Sequence, residues 1–283
     1  MKAHKALIVY LVVCFWSVAL KAEVVITKDI DYIIAVDYAS GRDLLDVYMP
    51  EDAKNAPVIV FLHGGALLYG DKTYAKAIAA RLAASGVALV SANYRLSPDH
   101  AHPSHVRDAA AATAWVINNI AAYGGDPAKV FVAGHSAGAY LAALLAVDRS
   151  LMEEHNLSQS ALKGTILISP FLYVEETAPE RIISNPAAKS IWGEQKEDWL
   201  KASVTGFIGP NINNILVIYA DGDDLWRKEQ NQRFVQDLKS EGNSNVTAIE
   251  VRRRTHTTII SKVLEQDDQV GDLILSFVNE LEK

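Results

Sequence analysis

Five consecutive residues, Gly134-His135-Ser136-Ala137-Gly138, set a serine between two glycines, with the apolar run 130–133 before them and an alanine-rich helix-forming stretch after. A strand, a sharp turn and a helix are the context a nucleophile elbow requires. The glycines have a steric task, because side chains at 134 and 138 would collide as strand and helix close on the turn. Ser136 would then stand at a helix N-terminus, with the Ala137 N–H aimed at any developing anion.

A serine hydroxyl is a weak nucleophile and needs a base, itself oriented by an acid. Downstream, the apolar run 215–219 ends in Ala220-Asp221-Gly222-Asp223-Asp224-Leu225-Trp226. After the run 246–251 comes Arg254-Thr255-His256-Thr257-Thr258, which holds the last histidine of the chain. The order serine, acid, histidine yields Ser136, Asp223 and His256 as catalytic candidates. Asp223 is preferred because it sits deep in the turn while Leu225 and Trp226 pack back; Asp221 is the alternative and Asp224 the third choice. His155 lies in a polar stretch and reads as a solvated loop residue. Ahead of the elbow, the run 58–62 ends in His63-Gly64-Gly65-Ala66. Consecutive glycines let backbone N–H groups approach a substrate oxygen, so Gly65, Ala66 and Ala137 are the expected oxyanion donors.

Positioning these groups takes a sheet. Apolar runs at 58–62, 87–92, 130–133, 164–168, 215–219 and 246–251 alternate with helical patterns at 74–85, 106–122, 139–147, 228–240 and 269–281. Short apolar runs between longer helices indicate buried parallel strands with helical crossovers, hence an α/β fold with a mostly parallel central sheet and helices on both faces. Residues 32–36 and 44–48 read as an antiparallel pair turning at Ser40-Gly41-Arg42. No repeat or linker divides the chain, so 23–283 is expected to be one catalytic domain. The segment 171–210 is expected to be a small lid, its Tyr173, Trp192, Trp199 and Phe207 lining a substrate pocket.

The chain resembles the esterase and lipase branch of the α/β-hydrolases related to hormone-sensitive lipase, and is similar to small feruloyl-esterase-like and kynurenine-formamidase-like members. The residues that carry the resemblance are Leu45-Asp46-Val47-Tyr48-Met49-Pro50, Phe61-Leu62-His63-Gly64-Gly65, Asn93-Tyr94-Arg95-Leu96-Ser97-Pro98, Asp108, Gly125-Asp126-Pro127, 134–138, Asp223 and His256. It implies Ser136 as nucleophile, His256 as general base, Asp223 as orienting acid, and hydrolysis of small esters without a cofactor. Two features depart from the pattern: only about 35 residues separate the leader at 1–22 from residue 58, too few for a long helical cap, and Ala66 replaces a third glycine. The expected function is a serine carboxylesterase for short-chain or small aryl esters. An arylformamidase or other amidase, and a hydrolase-fold binding protein without activity, are the alternatives.

Composition bounds the partners. A net charge of −7, from 27 basic against 34 acidic residues, argues against binding nucleic acid or an anionic membrane, and leaves small molecules or other proteins as partners. The single cysteine, Cys14, excludes an intramolecular disulfide and a multi-thiolate metal site. His100, His102 and His105 cluster without helical spacing and read as a proline-flanked loop, so no metal is expected. Residues 1–22 carry Lys2 and Lys5, an uncharged run at 6–20 and Lys21-Ala22, the pattern of a secretory signal peptide. An uncleaved N-terminal anchor is the other reading, and a secreted or periplasmic protein is the expectation.

Overall fold

The computed structural model describes residues 23–33, 38, 40–212, 214–265 and 268–283. The leader, with Cys14, therefore lies outside the described residues. Eight strands form one sheet: β1 (Val24–Asp31), β2 (Leu44–Pro50), β3 (Ala56–Leu62), β4 (Ala88–Ala92), β5 (Gly125–His135), β6 (Leu162–Ile168), β7 (Asn214–Ala220) and β8 (Val246–Val251). Their spatial order is β1-β2-β4-β3-β5-β6-β7-β8. From β4 through β8 every neighbouring pair is parallel, and β2 runs antiparallel to both β1 and β4.

The apolar runs are continuous rather than alternating because both faces of the sheet are covered. Along β3, Val58, Val60 and Leu62 enter one core layer, while Ile59 and Phe61 enter the other. The first layer packs under α2 (Ser104–Asn119) and α3 (Ala137–Val147), the second under α1 (Lys76–Ala83) and the C-terminal helix Gln269–Leu281. Every residue of α3 is buried, which explains why it shows no amphipathic stripe. Asp108 on α2 ties down the loop after β4: it accepts the Arg95 backbone N–H at 2.8 Å and pairs its guanidinium at 2.8 and 2.6 Å.

The expected hairpin is corrected. The antiparallel partner of β2 on the sheet edge is β1, upstream of residues 32–36, and 34–37 lie outside the described residues. Five consecutive residues of β1, Val25–Asp29, are exposed, so a search for apolar runs passes over this edge strand. Tyr32 is a buried core residue whose hydroxyl donates to the Asn93 carbonyl at 2.9 Å. The turn near Gly41 is present, with the Gly41 N–H on the Tyr38 carbonyl at 2.7 Å.

Candidate active site

β5 delivers Ser136 to the carboxyl edge of the sheet, where α3 begins. Ser136 has φ 54° and ψ −114°, a region that costs of order 1–3 kcal/mol and persists only when its surroundings enforce it. They do so here: its N–H donates to the Ile168 carbonyl at 2.8 Å, and its carbonyl accepts the Tyr140 N–H at 3.0 Å. A Cβ at Gly138 would lie 2.0 Å from the Leu62 carbonyl oxygen, and one at Gly134 2.3 Å from the Gly138 backbone. Glycine is required at both positions by this contact.

The structure brings the three expected residues together. His256 Nε2 is 2.9 Å from Ser136 Oγ, and His256 Nδ1 is 2.7 Å from Asp223 Oδ1. Asp223 is buried, and its second oxygen accepts from Ser169 Oγ at 2.6 Å and the Ala220 N–H at 2.9 Å. Arg227 Nε stands 3.7 Å from Oδ1. Burial pushes the Asp223 carboxyl upward, yet the donors from His256, Ser169 and Ala220 outweigh it, and the net shift is below the ordinary carboxylate value. An ionised carboxylate can only accept, so Nδ1 of His256 carries the proton and Nε2 is free to take one from Ser136.

Asp221 faces elsewhere: it accepts the N–H groups of Arg253 and Arg254 at 2.9 and 3.0 Å, bracing the loop that carries His256. Asp224 occupies the N-cap position of the helix that starts at Leu225, without a side-chain capping bond. Asp223→Asn is therefore expected to lower kcat by about 10⁴-fold, as loss of a triad acid does. Asp221→Asn should cost about fivefold, the worth of ~1 kcal/mol of hydrogen bonding. Steady-state kinetics of the two variants check the assignment, and the reverse order overturns it.

Opposite the serine, the loop after β3 turns at Gly65, where φ is 126° and a Cβ would meet the Tyr69 carbonyl oxygen at 2.0 Å. Ala66 takes φ 55°, so the residue that replaces a third glycine still adopts a glycine-like backbone. The N–H groups of Gly65, Ala66 and Ala137 enter no turn or loop hydrogen bond among the described residues. His63 locks this loop from beneath: its Nδ1 donates to the Gly64 carbonyl at 2.8 Å and its ring stacks 4.3 Å from Tyr94.

The residues meet in a cleft of about 400 Å³ walled by Gly65, Ala66, Tyr69, Tyr74, Phe171 and Arg181, with Ser136 and His256 at its base. None of the four aromatics expected from the 171–210 insert is part of this wall. Trp192 stands edge-on behind Phe171 at 5.6 Å. Tyr173 is buried, with its hydroxyl on Asp237 and its ring under Arg233 at 3.8 Å. Trp199 donates its indole N–H to the Gly193 carbonyl at 3.2 Å, and Phe207 lines a separate pocket with Val147 and Arg149. The insert contributes Phe171 and Arg181 in their place.

Sequence reasoning also missed a support for His256. His135 Nε2 is 2.8 Å from the His256 carbonyl and its Nδ1 is 3.3 Å from the Tyr74 hydroxyl. A carbonyl accepts only, so Nε2–H donates to it and the tyrosine hydroxyl donates to Nδ1. Burial, with the nearby His256 second, lowers His135 to about 3, so this neutral tautomer is maintained at working pH. Its position inside the elbow was the signal that could have found it.

Residues 59–260 match the profile of a family described as alpha/beta hydrolase fold. The chain belongs to the α/β-hydrolase family. Among relatives of this chain, esterase LipC of Mycobacterium tuberculosis is 30% identical over 228 residues, covering 75% of this chain and 56% of the relative. Probable carboxylesterase 13 of Arabidopsis thaliana is 29% identical, covering 71% of this chain and 65% of its own. The chain spans about half the length of LipC and of esterase LipQ, 56% in each case. Among solved structures, a Pyrobaculum calidifontis esterase superposes with TM-score 0.69 at 28% identity, covering 84% of this α/β-hydrolase and 80% of that chain. Esterase B of Lactobacillus rhamnosis reaches TM-score 0.78 at 19% identity, covering 92% and 87%, a likeness of fold.

Proposed function

We propose that the protein is a serine carboxylesterase acting on short-chain or small aryl esters. The observation that carries this reading is the Asp223–His256–Ser136 relay, with spacings of 2.7 and 2.9 Å, opening into a cleft whose opposite wall presents the Gly65 and Ala66 backbone. Esterase names among the relatives support it.

In this mechanism Ser136 Oγ attacks the ester carbonyl carbon while His256 Nε2 takes its proton. The carbonyl oxygen becomes an oxyanion held by the Gly65, Ala66 and Ala137 N–H groups, the step in which one preorganised donor is worth about 10²–10³ in rate. Collapse breaks the bond to the alcohol, which leaves with the proton from His256. Water then repeats attack and collapse on the acyl-serine, freeing the acid and restoring Ser136. Asp223 stays ionised throughout and stabilises the imidazolium formed in each half.

The cleft volume, near the lower end for small-molecule pockets, favours a compact ester over a long acyl chain. We therefore expect turnover of p-nitrophenyl acetate and butyrate to exceed that of the octanoate and palmitate esters, and all of them to exceed N-formylkynurenine. A preference for the formamide would replace the ester reading with an amidase; inactivity on every substrate would leave a hydrolase-fold binding protein.

We also propose that residues 1–22 are an export leader, supported by the basic start and the uncharged run at 6–20. N-terminal sequencing of the exported protein should begin at Glu23. A retained leader would indicate an anchor.

A further inference from the structure

One group in the cleft has no task in ester hydrolysis. Arg181 lies on the insert helix Val174–Ser184 and lines the same cleft as Ser136 and His256. Its guanidinium carbon sits 4.2 Å over the Phe171 ring, 5.5 Å from the Trp226 ring centroid and 5.8 Å from that of Trp192. Among the described residues its guanidinium has no ion pair or hydrogen bond, and no carboxylate is among the charges that act on it.

None of the acids nearby pairs with Arg181 among the described residues: Glu180 lines an adjoining pocket with it but forms no ion pair to it, and the others have partners of their own. Glu176 pairs with Arg233 at 2.6 Å, Glu175 accepts from Thr205 at 2.6 Å, and Asp223 serves His256. Arg227, the other guanidinium of the cleft, also has partners: it donates to the Ser169 carbonyl at 3.0 Å and lies beside Asp223. Both cations lie over the Trp226 ring, Arg181 at 5.5 Å and Arg227 at 4.6 Å from its centroid; the ring attracts each without neutralising either. Burial, with Arg227 second, lowers Arg181 to about 10, so it is still charged at neutral pH. A cation drawn into an aromatic recess beside another cation, and left without an anion, is electrostatically incomplete.

The geometry points to Arg181 as an anion-recognition residue: the substrate is an ester that carries a carboxylate, which Arg181 binds as the reacting carbonyl meets Ser136. The inference rests on the esterase reading and narrows its substrate class. Guanidinium and carboxylate match as a two-point hydrogen-bonded pair, and aromatic walls that exclude water strengthen the pairing.

Two ester pairs test it, one for each side of the scissile bond. Mono-4-nitrophenyl succinate against 4-nitrophenyl butyrate puts the carboxylate on the acyl side. 4-Acetoxybenzoate against its methyl ester puts it on the alcohol side. In at least one pair the wild-type enzyme should favour the anionic ester in kcat/KM, and Arg181→Gln should reduce that ratio by about 10–100-fold, the range for a hydrogen bond to a charged group. Arg181→Lys should retain part of it. Succinate should inhibit butyrate ester hydrolysis by the wild-type enzyme competitively, and butyramide should not; this arm needs no variant, and so decides the question if Arg181→Gln fails to fold. Ester turnover with no anionic preference in either pair and no succinate inhibition overturns the inference while leaving the esterase reading intact. No turnover of any ester overturns both.

Discussion

Ser136→Ala is expected to lower kcat on p-nitrophenyl butyrate by about 10⁶-fold, the scale on which loss of a triad nucleophile is felt. The loss is this large because alanine removes the covalent route, and His256 is left without the hydroxyl 2.9 Å away that it would deprotonate. The oxyanion donors survive the change, being backbone N–H groups of Gly65, Ala66 and Ala137, so a residual 10³–10⁴-fold acceleration over water should remain. Backbone strain survives too, since alanine keeps the Cβ at φ 54°; the variant should fold and melt as the parent does. Wild-type protein treated with an alkyl phosphonate ester should gain one adduct mapped by mass spectrometry to Ser136, and the variant none. A variant retaining activity within tenfold of wild type, or an adduct on another residue, removes Ser136 from the mechanism.

How far the site was legible follows from which constraints are local. The elbow was readable because Gly134 and Gly138 must let backbones meet at 2.3 and 2.0 Å of a notional Cβ, a demand visible in residue type alone. The choice between Asp223 and Asp221 depends on a tight turn in which the Asp223 N–H returns to the Ala220 carbonyl at 3.1 Å. That turn aims one carboxylate at His256 and the other at the Arg253 and Arg254 N–H groups, and a composition of three aspartates does not encode it. The parallel core strands were found because burial on both faces writes them as apolar runs, whereas β1 was missed because an exposed edge strand carries no such run. The cleft wall was least accessible. Whether Trp192 or Phe171 faces Ser136 is set by how the insert helices dock, and Arg181 gave no signal, because a surface helix carries arginine for many reasons. Even His135, inside the motif, has a role only because the His256 loop comes within 2.8 Å of it from 121 residues away.

Acid should unfold this protein well above the pH at which its carboxylates titrate. His63, His105 and His135 are all buried, and burial lowers them to about 4, 3 and 3 respectively. Protonating any of them in the fold has a structural cost. Among the described residues, His63 Nε2 and His105 Nδ1 are buried without a hydrogen-bond partner, so a second ring proton would find no acceptor there. His135 Nδ1 would lose the Tyr74 hydroxyl that it accepts. In the unfolded chain the same rings take a proton near pH 6.5. The folded values lie below the unfolded one, so the stability contribution is complete above about pH 6.5 and declines as pH falls toward the folded values. At pH 5, above all three folded values, the cost is set by the unfolded chain: about 2 kcal/mol for each histidine and about 6 kcal/mol for the three. That is a large part of the 5–15 kcal/mol that ordinarily separates folded from unfolded domains. Asp223 works in the opposite range, since its lowered value stabilises the fold above its ordinary 3.8 and is lost only below it, so the interval from pH 7.5 to pH 5 isolates the histidines. Half-buried His102, which burial also lowers to about 4, adds a fourth contribution of the same sign, so urea unfolding followed by tryptophan fluorescence should show the midpoint falling by about 2–3 M across that interval, and His105→Gln should remove about a quarter of the pH dependence. A midpoint unchanged between pH 7.5 and pH 5 would show that these rings take protons inside the fold as readily as outside it.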